Sequence, residues 1–189
     1  MKPQTLFAAA LALCACQPQN ENAEPDAKPT ESAATAPAQP PLTAEGWGPI
    51  RMEMTHEQAV AALGGKVKPD ELERDEDWLA CHAIRPASPE GVWIQVEEDR
   101  VSVVSLEPDA REVASDRGIR TGDPEAKVRE AYPTGLKEEK HHYEDPPAKY
   151  LTWWSKPGVA GIRYSIGHDG KVHALAGGTG SIELAEGCS

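Results

Sequence analysis

Met54-Thr55-His56-Glu57-Gln58-Ala59-Val60-Ala61-Ala62-Leu63-Gly64-Gly65 is the run from which the fold is read. Thr55 is placed to cap a helix, and Gln58, three residues on, to close a capping box in which hydroxyl and amide satisfy each other's orphan backbone donors. Ala59, Ala62 and Leu63 then share one helical face, and the glycine pair ends the turn because glycine accepts the left-handed conformation needed there. Beyond the charged stretch Lys66 to Asp77, which holds at most a loose turn, Trp78 to Ile84 reads as a strand. Val92 to Glu97 and Val101 to Leu106 alternate about Glu98-Asp99-Arg100, the pattern of a β-hairpin with a short turn. One helix followed by three strands is the unit.

The order recurs 69 residues later. Ile50-Arg51 falls on Ile119-Arg120, and the face of Ala59, Ala62 and Leu63 falls on Val128, Ala131 and Tyr132. Asp123 is placed to cap a second helix with Pro124 at its first position, where a missing N–H costs nothing. Strands are expected at Tyr150 to Ser155, Ile162 to Ile166 and Val172 to Ala176, with Gly167 to Gly170 turning between the last two. A last strand at Ser181 to Leu184 would bring Cys188 back toward the strand that holds Cys81. The expected fold class is α+β: two fused repeats, about 45–114 and 115–189, each a short helix packed on a small antiparallel sheet.

Met54, Thr55, Leu63 and Gly64 match the M-T-x-x-x-[AV]-x-x-x-L-G signature, so the run resembles the opening of the small outer-membrane lipoproteins associated with β-barrel assembly. Glu53 stands where that pattern usually has Gly. Similar repeats build the β-lactamase-inhibitor-like domains, which carry two such units in tandem. The resemblance implies helices packed on an antiparallel sheet and a role in recognising other envelope proteins. It carries no binding residues across to this chain, and it also extends to alphaproteobacterial lipoproteins of unassigned function.

The N-terminus agrees with an envelope address. Lys2 precedes the apolar run Leu6 to Ala15, which is too short to span a bilayer and has the form of a secretory signal. Its ending, Leu13-Cys14-Ala15-Cys16, resembles a bacterial lipoprotein box. Cys16 is the expected lipid attachment site, because Ala15 before it is small and Leu13 lies three before, whereas Cys14 would follow the bulky Leu13. Residues 1–15 are then the signal peptide, and the diacyl and N-acyl chains implied at Cys16 anchor firmly, each buried methylene adding about 0.8 kcal/mol. By analogy with enterobacterial lipoproteins, Gln17 rather than Asp after the cysteine suggests the outer membrane, with the domain facing the periplasm or else the cell surface. Residues 16–44 hold the lipidated cysteine and a linker rich in Pro, Ala, Gln and Glu, too poor in apolar residues to offset the entropy of ordering. Its 28 residues from Gln17 span roughly 30 Å as a coil.

Residues 45–189 carry 27 acidic and 17 basic side chains within a chain of net charge minus 12. An acidic surface argues against a nucleic-acid partner and against adhesion to anionic lipid by charge. Once Cys14 leaves with the signal and Cys16 takes lipid, Cys81 and Cys188 remain. In an oxidising compartment that pair reads as one disulfide, against two free thiols or a metal site. The bond would close a loop of about 107 residues, for which chain entropy suggests on the order of 4 to 5 kcal/mol.

Candidates for chemistry are sparse. His141 and His142, beside Glu138, Glu139, Glu144 and Asp145, are the metal candidates, against a solvated loop. His82 reads as a strand residue facing away from the disulfide. Gly177 to Ser181 lacks the Lys and helix of a P-loop and reads as a flexible turn. No nucleophile with a placed base is found, so neither catalytic residues nor a cofactor are assigned. Trp153 and Trp154 are adjacent on a strand, so one faces out, either half-covered by the helix or linker or as a candidate partner-binding anchor. The function expected is a non-catalytic, protein-binding or scaffolding lipoprotein. The alternatives are a small-ligand or metal-binding protein or enzyme with an unrecognised pocket, and a passive structural lipoprotein.

Overall fold

The computed structural model describes residues 39–69 and 76–188. The expected signal peptide, Cys16 and the expected linker through residue 38 lie outside the described residues, as do residues 70–75 of the charged stretch. Regular structure is already present ahead of Glu45: β1 (Leu42–Thr43), β2 (Gly46–Trp47) and β3 (Ile50–Arg51) form a small antiparallel sheet. Leu42, the one large aliphatic residue of the supposed linker, is fully buried. Its N–H donates to Ala114 and its carbonyl accepts from Asp116, each at 2.8 Å, so the linker ends before Leu42.

α1 (His56–Ala62) follows, with its capping box in place. Thr55 Oγ1 accepts the Gln58 N–H at 3.2 Å and Gln58 Oε1 accepts the Thr55 N–H at 2.9 Å. Trp78 lies not in a strand but in the short helix α2 (Glu76–Ala80), which runs directly into β4 (Cys81–Ile84). The hairpin of β5 (Val92–Glu97) and β6 (Arg100–Leu106) turns through Glu98 and Asp99 at φ 49° and 60°, the primed geometry that matches strand twist.

In the second half, α3 (Glu125–Ala131) is followed by β7 (Leu136–Lys140), β8 (Lys149–Lys156), β9 (Ala160–Ile166) and β10 (Val172–Gly178). Pro124 is itself the cap residue of α3. Asp123 instead accepts the Arg120 N–H and the Lys127 ammonium, at 2.7 and 2.8 Å. The expected final strand is a 3₁₀ turn, Gly180–Glu183, with Thr179 as its cap.

The expectation of two fused α+β repeats, each a helix on its own small sheet, is overturned. The chain is mostly β, and its main sheet is a single antiparallel one of seven strands in the order β4-β5-β6-β10-β9-β8-β7. The physical reason is the pairing of β6 with β10, in register from Leu106 opposite Leu175 to Val103 opposite Gly178. Strands from both halves thereby continue one hydrogen-bond ladder. The helices have only five to seven residues, and each buries a single side chain: Ala59 from α1, Trp78 from α2 and Val128 from α3. They are too short to cover the sheet. Leu42, Trp47, Ile50, Val113 and Ile119, from the small sheet and connecting segments, join Ile94, Val104, Leu151, Ile162, Tyr164 and Leu175 of the main sheet in the core.

Gly177 and Gly178 belong to β10 and not to a flexible turn. A Cβ on Gly177 would lie 2.3 Å from the Thr43 carbonyl oxygen, so the small sheet docks where a side chain is missing. Gly178, at φ 158°, makes the same close approach to Ser102 of β6. Glycine serves close backbone packing here.

Candidate functional site

Side chains alternate across a strand, so burying one face of the sheet leaves the other to be finished differently. Register aligns Trp93, Ser105, Ala176, Arg163, Thr152 and Lys137 in one row over six strands of that second face. The C-terminal segment crosses this row as a strap. Ile182 is buried against it, with the 3₁₀ turn packed on β6, β9 and β10. Ser181 Oγ donates to Glu97 at 2.7 Å, Lys137 Nζ pairs with Glu183 at 3.0 Å, and the Tyr143 hydroxyl donates to Glu186 at 2.6 Å. Cys188 then joins Cys81 on β4, with Cα atoms 5.1 Å apart. The disulfide expected from cysteine counting is present, and it fastens the strap to an edge of the sheet.

Between strap and sheet lies a cleft with two lobes of about 290 and 270 Å³. One lobe runs under Trp93, Gln95 and Val103, the other beside His141, Tyr150 and Arg163. Ser105, Glu107, Ala176, Ile182 and Leu184 line both. Among the described residues five large apolar side chains stay exposed, and three of them, Trp93, Tyr143 and Leu184, line this cleft. The concentration of exposed apolar surface around a partly polar cavity is what marks the second face as the candidate site.

The charges of the cleft are largely matched. Arg163 is buried, pairs with Glu139 at 3.1 Å, and lies 3.9 Å from the centroid of the Tyr150 ring. Burial works against the ionised Glu139, yet Lys137 and Arg163 together hold its carboxyl below the usual range. Glu107 differs. It is half-buried at the end of β6, and no cation of the described residues lies within 4.0 Å of it. Burial pushes its carboxyl above the ordinary carboxylate range.

The histidine candidates separate. His141 Nδ1 accepts the backbone N–H groups of Tyr143 and Glu144 at 3.3 and 3.1 Å, so Nε2 carries the proton toward Ser165 Oγ, 3.2 Å away. The ring stacks on Tyr150 with centroids 4.5 Å apart, and burial lowers its affinity for a proton. A neutral ring with both nitrogens engaged does not offer a metal a lone pair. His142 is exposed, and both histidine rings lie against Tyr143 and Tyr150. Among the described residues no three His, Cys, Asp or Glu side chains converge as metal ligands.

His82 is buried, stacked on Trp78 with centroids 3.7 Å apart. Its Nδ1 lies 2.8 Å from the Trp78 carbonyl and its Nε2 2.8 Å from His56 Nδ1, which ties α1 to the start of β4. Of the tryptophan candidates, Trp153 points to the core side beside Tyr132, with centroids 5.2 Å apart. Trp154 lies half-buried over Gly161 on the opposite face. The ring left exposed, at 42 %, is Trp93. Alternation on β5 placed it opposite Val92 and Ile94, and that signal was legible before the structure. Nothing in the sequence pointed to Glu107, whose interest depends on a strap 75 residues further on.

Comparison with protein-family models, curated proteins and solved structures finds no match. The reading of function therefore rests on the residues and their arrangement.

Proposed function

We propose that the protein is a lipid-anchored envelope protein that recognises another envelope protein, without catalysis, through the strap face of its main sheet. Acylation at Cys16 holds it to the outer membrane, and the segment between Cys16 and Leu42 gives the domain reach into the periplasm. The reading is supported by the signal-like run, the lipoprotein-box pattern at Leu13 to Cys16, and the disulfide, which suits an oxidising compartment. The observation that carries the recognition role is the grouping of Trp93, Tyr143 and Leu184, exposed at 42, 61 and 57 %, around one cleft. Exposed aromatic and apolar side chains gathered on one surface are the usual anchors of protein interfaces. The anchor is assigned to Trp93 in preference to Trp153, which packs toward the core, and Trp154, which is half-covered.

In-cell cross-linking of the full-length lipoprotein, followed by mass spectrometry, tests this. Wild-type protein is expected to capture one dominant envelope protein, Cys16→Ser to lose or weaken that capture, and Trp93→Ala to reduce it at least fivefold at equal expression. Capture unchanged in Trp93→Ala would remove the assigned surface. No reproducible partner in the wild type would remove the recognition role.

A further inference from the structure

The cleft under the strap has a charge imbalance that folding leaves in place. Arg163 is matched by Glu139 at 3.1 Å and its face is taken by Tyr150. Glu183 is matched by Lys137 at 3.0 Å, and Glu97 accepts from Gln95 and Ser181 at 2.6 and 2.7 Å. His141 is held neutral by the two backbone N–H groups on its Nδ1. Glu107 is left at the junction of both lobes with no cation of the described residues within 4.0 Å, under a roof of Ile182 and Leu184. A carboxylate partly withdrawn from water and lacking a partner attracts a cation more strongly than one on an open surface. Ala176, Ile182, Leu184 and Trp93 supply apolar surface in a lining that also holds Ser105, Ser181 and Glu186, and Trp93 already carries Arg85 at 5.3 Å from its centroid. What fits is a positive head on a short apolar body.

We propose that this cleft is a binding site for a small organic ammonium compound, its head paired with the Glu107 carboxylate and its apolar part lying between Ile182, Leu184 and Trp93. The site shares Trp93 and Leu184 with the surface proposed for protein recognition, but its test reads small-molecule binding alone and does not depend on that role. Each lobe, at 270 to 290 Å³, is just below the range of ordinary ligand pockets, which suits an occupant smaller than a drug-sized molecule. Burial raises the affinity of Glu107 for a proton, so a proton competes with the ammonium ion for the carboxylate and binding weakens as pH falls through the carboxylate range.

The test is calorimetric titration of the full-length lipoprotein in detergent micelles with n-butylammonium chloride, against butyrate, butanol and empty micelles. Wild-type protein is expected to bind butylammonium saturably at one site and to ignore butyrate. Glu107→Gln should weaken that binding at least tenfold with no fall in the thermal midpoint, and Glu107→Asp should retain part of it. The affinity of the wild type should fall between pH 7 and pH 4, a readout that needs no variant. Equal binding by Glu107→Gln, equal binding of butyrate, or no saturable heat with the wild type would each overturn the proposal.

Discussion

At the end of β6, Glu107 follows the fully buried Leu106, and Pro108 follows it, so its backbone is held while its carboxyl sits in the cleft. Its folded-state proton affinity is raised by burial, whereas an unfolded Glu titrates near its ordinary value of about 4.3. The folded chain therefore holds this proton more tightly than the unfolded chain. The stability that results is complete below the unfolded value and is lost as pH rises through the folded one. Glu107→Gln removes the charge while keeping the shape, so it should raise the thermal midpoint at pH 7 and leave it unchanged near pH 4. Scans at the two pH values check this, and equal midpoints of mutant and wild type at pH 7 would show that solvent reaches the carboxylate freely. At this scale the sequence was readable where chemistry is local. Thr55 and Gln58 carry their capping box in their spacing, and Cys81 and Cys188 their bond in the count of cysteines. Glu107 and the His56–His82 pair acquire their roles only from residues brought in by tertiary packing, as His141 does its contacts with Tyr150 and Ser165.

Among the elements, the junction of β1 with β10 shows how much of the fold hangs on a missing side chain. Leu42 and the Thr43 carbonyl lie directly over Gly177, where a methyl group would approach the oxygen to 2.3 Å. Since that oxygen belongs to backbone, the strand must shift to make room, and overpacking of this kind costs typically about 1 to 3 kcal/mol. Gly177→Ala should lower stability by that amount in urea denaturation. Gly180→Ala is the control, because its nearest neighbour is the Gly158 carbonyl at 3.5 Å, and it should be close to neutral. A neutral Gly177→Ala would mean that the small sheet adapts without loss. The same elements explain which strands could be read. β5 and β6 alternate cleanly because one face is buried, and their turn residues are polar. β7 is Leu-Lys-Glu-Glu-Lys at the edge of the sheet, with no apolar alternation, so composition made it look like a loop. Charges on such an edge blunt pairing with other chains. α2 has five residues around Trp78, too few for helical periodicity to outweigh the strand preference of the tryptophan.

For the whole molecule, the decisive contact is the pairing of β6 with β10 in the middle of the seven-stranded sheet. Each half of the chain shows a helix and strands in a similar order, and pattern alone is satisfied by two domains or by one sheet. Only the hydrogen bonds between Val103 to Leu106 and Leu175 to Gly178 distinguish them. The consequence is thermodynamic. Two autonomous repeats would unfold in two steps, whereas strands sharing one ladder and one core lose their partners together. Urea denaturation followed by far-ultraviolet circular dichroism and by tryptophan fluorescence should give one transition at one midpoint. Trp78 and Trp93 report on the first half and Trp153 and Trp154 on the second. Replacing Cys81 and Cys188 by Ser should keep the transition single and move it to lower urea, by at most the 4 to 5 kcal/mol or so that chain entropy allows a loop of 107 residues. The bond joins the strap to β4 from outside the ladder, so its loss should release residues 184–188 to hydrogen exchange before the sheet opens. Two separated transitions in the oxidised protein would restore the picture of independent halves, and unchanged exchange in the double variant would mean that Ile182 and the ion pair of Glu183 with Lys137 hold the strap without the disulfide.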